Sequence, residues 1–137
     1  MRRKDTPEQA AFRAEARAWL EANAELRRGA GGWAMGSHEP TPEAEAEHFA
    51  RCREWQRKLY DGGWAGITWP TEFGGRGGSP AEAIIFDEEQ ARFEATAGFL
   101  PASIGLLGPA LMLHGNAAQR ERFLRPLLRG DEVWCQL

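Results

Sequence analysis

Three times in its 137 residues this chain places a hydroxyl residue directly before a proline: Thr6-Pro7, Thr41-Pro42 and Ser79-Pro80. A hydroxyl caps the free N–H groups of a helix start, and proline suits the first helical position because its missing N–H would have no partner there. In two of the three, Gln9 and Glu82 stand where a side chain reaches back to the cap and completes a capping box. Asn116 marks one more start, without proline. No segment before residue 132 reads as a strand with a partner, so the chain is constrained to fold almost entirely from helices.

Phe12, Ala16, Trp19 and Leu20 recur at helical spacing after the first cap, which predicts a helix over Pro7 to Asn23. A glycine-rich loop from Gly29 to Pro40 follows. The second helix turns Phe49, Cys52, Trp55, Gln56 and Leu59 inward and stops at Gly62-Gly63. The third is expected from Pro80 to Thr96, with Ala83, Phe86, Gln90, Phe93 and Ala97 inside. The fourth, Ala102 to His114, is apolar on nearly every side and is therefore expected to lie buried among the others. The fifth carries Phe123, Leu124, Leu127 and Leu128 inward, with Pro126 expected to kink or divide it. Glu132 to Leu137 reads as the beginning of a strand that has no partner, so the chain is expected to be part of something larger. The predicted fold class is all-α: about five helices in an orthogonal or bundle-like array over 1–131, with 132–137 opening a β-domain.

Composition narrows the function by exclusion. Seventeen basic and 20 acidic residues give a net charge of −3, without the clustered basic excess that nucleic acid requires. Cys52 and Cys135 are far apart and outside any CxxC spacing, so they read as small buried hydrophobes in a reducing, cytoplasmic setting. No apolar run approaches the roughly 20 residues that a membrane span needs.

Few residue groups offer chemistry. Gly63 to Gly78 is a long loop with Trp64, Trp69 and Phe73 to pin it and glycines to turn it. Its Gly74-Gly75-Arg76-Gly77-Gly78 is neither GxGxxG nor GxxxxGK[ST], and reads as a structural turn rather than a phosphate cradle. His114 suits the C-terminal end of its helix, where a cation meets the dipole. His38 and His48 have no ligand constellation around them. Asp87-Glu88-Glu89 spread over different helix faces and read as a solvated surface. No catalytic residue and no metal site is assigned.

Three stretches, in their order, resemble a known family. Gly63-Trp64-Ala65-Gly66-Ile67-Thr68-Trp69-Pro70-Thr71-Glu72-Phe73-Gly74-Gly75 is similar to the GWxGxxWPxExGG segment of acyl-CoA dehydrogenases. Gly108-Pro109-Ala110-Leu111, His114-Gly115-Asn116, Gln119 and Phe123 to Gly130 resemble the end of that family's N-terminal helical domain. Glu132-Val133-Trp134-Cys135-Gln136-Leu137 resembles the strand that leads to its flavin-binding SEPxAGSD segment.

The resemblance implies an FAD-dependent oxidoreductase of fatty acid metabolism that dehydrogenates an acyl-CoA thioester between its α and β carbons. It implies a flavoprotein in which this chain forms the N-terminal domain, inactive alone. On the same basis Gln136 and Leu137 contact the flavin, while Ala102, Ser103 and Leu106 line the acyl pocket. The catalytic glutamate of the family has no counterpart here. A homo-oligomer or a heteromeric partner subunit is expected, and the isolated chain is expected to self-associate through apolar surface. The alternative reading is a non-catalytic helical module. Oxidases and flavin-dependent monooxygenases use a similar N-terminal domain.

Overall fold

The computed structural model describes residues 5–28, 41–95, 97–98 and 100–135. They form five α-helices: α1 (Pro7–Asn23), α2 (Pro42–Asp61), α3 (Pro80–Gln90), α4 (Leu100–His114) and α5 (Ala117–Arg129). A single 3-10 turn spans Thr71–Phe73. The glycine-rich loop expected at Gly29–Pro40, with His38, lies outside the described residues. The helices divide between two compact units, α1 with α3 in one and α2, α4 and α5 in the other.

In the first unit the two capping boxes form as expected. The Thr6 hydroxyl accepts the Gln9 N–H while Gln9 Oε1 accepts the Thr6 N–H, and Ser79 and Glu82 repeat the exchange. Phe12, Ala16 and Leu20 are buried, with Trp19 half-buried beside them. The α3 helix departs from expectation by stopping at Gln90 instead of Thr96. Its continuation runs antiparallel to residues 25–27: the Arg27 N–H donates to Arg92 O at 3.1 Å and the Glu94 N–H to Glu25 O at 2.7 Å. Backbone groups used across this pairing are not free to extend a helix. The buried face of α3 is Ile85, Phe86 and Glu89; Phe86 and the following Phe93 are buried as expected, whereas Ala83, Gln90 and Ala97 are only half-buried.

The second unit is built around α5. Leu124, Leu127 and Leu128 are fully enclosed, and Phe123 is half-buried. From α2, Cys52, Trp55, Gln56 and Leu59 are buried. Gln56 Nε2 donates to the Leu128 carbonyl at 2.6 Å, which satisfies a buried amide. Pro126 does not divide α5, which runs unbroken to Arg129. The three enclosed leucines around it offset the lost helix bond, a cost of about 3 kcal/mol in isolation. Cys135 is exposed, contrary to the expectation of two buried cysteines, because its neighbour Trp134 is the residue of segment 133–135 that turns in, onto Phe123 and Ser103. No strand forms among the described residues, and residues 133–135 carry no pairing of that kind.

Candidate functional site

The fourth helix is the element whose sequence and structure differ most. Its apolar residues predict burial on all sides, yet only Leu100, Ser103 and Gly108 are buried. Leu106 is 58% exposed and Leu113 73%. Ala102, Gly105, Pro109 and Ala110 are exposed with them. Positions 102, 106, 109 and 113 follow one another at steps of four, three and four, so they form a single outward stripe. An apolar helix face of this kind, left open by its own unit, is where another chain segment or an apolar ligand fits.

The inner face of α4 is set by the loop of residues 63–77. Trp64, Ala65, Ile67 and Trp69 are all buried. The loop is closed by its own backbone: the Trp69 N–H donates to Gly66 O at 2.9 Å and the Gly77 N–H to Trp69 O at 2.8 Å. The Arg76 guanidinium lies 4.1 Å from the centre of the Trp64 ring and clasps the loop from outside. Gly74 sits at φ +93°, a conformation that favours glycine. Where α4 crosses the loop, a Cβ on Gly108 would occupy the space of the Trp69 indole, so only glycine allows this approach.

The end of α5 holds the chain that follows it. Arg53 donates to the carbonyls of Gly130 at 2.8 Å and Asp131 at 2.9 Å. Asp131 takes hydrogen bonds from Arg57 at 3.0 Å and Arg129 at 3.0 Å. Partial burial by itself would raise the Asp131 carboxyl, but these two arginines hold it below its usual range. Glu132 pairs with Arg122 at 2.7 Å. The Trp134 ring meets Phe123 edge-on, with centroids 4.9 Å apart. The Trp134 N–H donates to Ser103 Oγ at 3.0 Å.

The residues assigned to the acyl pocket therefore separate. Ala102 and Leu106 share the outward stripe, whereas Ser103 is 6% exposed and engaged with Trp134. Gln136 and Leu137 lie outside the described residues. The glycine loop provides no phosphate cradle, since the amides of Gly74, Gly75 and Gly77 are already donated to Thr71, Pro70 and Trp69. No cluster of His, Cys, Asp or Glu among the described residues suits a metal ion.

The first unit contains the one charged cluster that the sequence reading misplaced. Glu89 does not lie on a solvated surface; its side chain is 5% exposed. Arg17 donates to it through Nε at 2.8 Å and Nη2 at 2.9 Å, Arg13 through Nη1 at 3.1 Å and Arg92 through Nη1 at 3.1 Å. The hydrogen bonds from Arg17, then those from Arg13 and Arg92, outweigh burial and hold its carboxyl at about 2. A carboxylate with so little proton affinity and so many donors serves structure rather than general-base chemistry. Arg13 also holds Asp5 at 2.6 Å and Glu88 at 2.8 Å. The groove beside them, about 760 Å³, is lined by three arginines and three carboxylates and has no net charge to attract an ion. A signal for this cluster existed: Arg13 and Arg17 are four residues apart and flank the apolar stripe of α1.

Comparison with known proteins places these features. Residues 6–131 match the family model described as "Acyl-CoA dehydrogenase, N-terminal domain". The acyl-CoA dehydrogenase IpdE1 of Mycolicibacterium smegmatis is 38% identical over 129 residues, covering 91% of this chain and 31% of that protein. The acyl-CoA dehydrogenase FadE29 of Mycobacterium tuberculosis is 35% identical over 94 residues, 68% of this chain and 24% of that protein. Among solved structures, the ChsE4-ChsE5 complex of Mycobacterium tuberculosis aligns at a TM-score of 0.64 and 29% identity, over 96% of this chain and 30% of that one. The Tcur3481-Tcur3483 steroid ACAD aligns at 0.64 and 28%, over 97% of this chain and 32% of that one. The chain spans about a third of the length of IpdE1 and of the solved structures it aligns with.

Proposed function

This chain belongs to the acyl-CoA dehydrogenase family, as its N-terminal domain, and from that premise we propose that it forms one wall of the acyl pocket in an enzyme that oxidises an acyl-CoA thioester between its α and β carbons. The observation that carries this reading is the outward stripe of α4, where Leu106 and Leu113 stand largely exposed on one face of a helix with Ala102 and Pro109. In this reading Ala102 and Leu106 touch the acyl chain, and Ser103 stands behind them. FAD is the cofactor that the family implies for the whole enzyme, and Gln136 and Leu137 are proposed to lie along it. Such oxidation needs a base and a hydride acceptor. In this reading the part of the described residues is to bind and shape. Two unpaired cysteines accord with a reducing compartment such as the cytoplasm.

The test uses the complete protein. Its visible spectrum is recorded before and after anaerobic addition of octanoyl-CoA and of a ring-bearing acyl-CoA. Flavin absorbance that bleaches with either thioester supports the reading. In that case Leu106→Trp is expected to raise KM for the bulkier thioester several-fold. A complete protein with neither flavin nor bleaching would overturn it.

A second reading rests on the solved structures, two of which carry the names of two different chains. In it the chain belongs to one subunit of a heteromeric enzyme. Flavin retention only on co-expression with a second acyl-CoA dehydrogenase chain would favour this; flavin held by the protein alone would exclude it.

A further inference from the structure

The ties that hold segment 131–135 are unequal in what they join. Arg53 and Arg57 reach it from α2, and Arg122, Phe123 and Arg129 reach it from α5. The Ser103 hydroxyl is the hydrogen bond, among those of the described residues, that joins the segment to α4. Ser103 is also the buried polar residue of that helix, next to Ala102 and one turn before Leu106. A buried hydroxyl that accepts a backbone N–H from 31 residues away fixes both elements, because the unpaired alternative leaves a polar group without water.

We propose that Ser103 is a positioning residue that sets the register of α4 against segment 131–135, so that the outward stripe of α4 and the chain leaving Trp134 hold one relative geometry. The proposal rests on the reading of that stripe as an acyl wall. Loosening the tie lets α4 slide or roll on its neighbours, and the stripe loses its fixed place. Affinity for the acyl group then falls, while the chemical step, performed by groups elsewhere, changes less.

The decisive comparison is between Ser103→Ala and Arg122→Gln in the complete protein. Both remove one tie to segment 131–135, but only the first releases α4. Amide hydrogen exchange and steady-state kinetics with the better of the two acyl-CoA thioesters are measured for each. Ser103→Ala is expected to speed exchange in both α4 and 131–135 and to raise KM about five-fold or more, with kcat within two-fold. Arg122→Gln is expected to speed exchange in 131–135 alone and to leave KM unchanged. Ser103→Cys, which keeps the size and a weak acceptor, is expected to recover part of the lost protection. Equal effects of the alanine and glutamine variants on α4 exchange, or no effect of either, would overturn the positioning role. If exchange in α4 responds as expected but the wild type shows no acyl-CoA turnover, the register role holds and the acyl-wall reading fails.

Discussion

The two units of this chain close their interiors by opposite means. The α1–α3 unit buries a carboxylate and surrounds it with three arginines. The unit of α2, α4 and α5 buries tryptophans and removes side chains to make room for them, as at Gly108 against Trp69. The first solution is directional and depends on ionisation; the second depends on shape. A charge in a low-dielectric site must be paired, which ties Glu89 to residues of a different helix. Indole against glycine leaves no volume to spare, and interiors at crystal-like density do not yield to an added methyl group.

The largest effect is expected where shape decides. Gly108→Leu should cost about 3 kcal/mol or more, because the new side chain meets the Trp69 ring and a tightly closed loop. Thermal unfolding measures it, and a loss below about 1 kcal/mol would show that the indole can move aside.

Next comes the charge cluster. Glu89→Gln should cost about 2 kcal/mol, reduced from the value for a fully buried pair because Arg17 and Arg92 are about half exposed. The same cluster gives a pH dependence. The Glu89 carboxyl titrates at about 2 in the folded chain against an ordinary 4.5, so its contribution is complete above about pH 4.5 and is lost as the pH falls toward 2. Denaturant unfolding across this range should show wild type losing its advantage over Glu89→Gln. Parallel curves for the two proteins would place the stabilisation elsewhere.

The smallest effect on folding is expected on the outward stripe. Leu106→Ser with Leu113→Ser should change stability by no more than about 0.5 kcal/mol, since both side chains are already exposed. The pair should nonetheless reduce self-association of the isolated chain in light scattering. A wild-type chain that stays monomeric at high concentration would remove that role from the stripe.

How far each region was legible in the sequence follows from the same contrast. The α1 helix was readable at both ends because a capping box and a single stripe are local signals, and Thr6 and Gln9 are three residues apart. The end of α3 was not, because it is set by pairing with residues 25–27, about 65 positions earlier. Glu89 was read with its acidic neighbours as surface, since three adjacent carboxylates do not announce which of them turns inward. The arginines that draw it in belong to α1. Ser103 was placed with Ala102 and Leu106 by resemblance, and its hydroxyl proved to be engaged by Trp134.

By itself the sequence determined a helical chain, the capped starts of α1, α2, α3 and α5, the glycine turn at residues 74–77 and the family to which it belongs. Each of these is carried by residues close together or by a contiguous motif. Tertiary structure decided which side of α4 faces out, because a helix apolar all round has no period from which to choose a face. It also decided which carboxylate is buried and which serine is tied to a distant backbone. Those outcomes depend on partners brought together only by folding, and the free energy of burying a polar group is set by the partner it finds there.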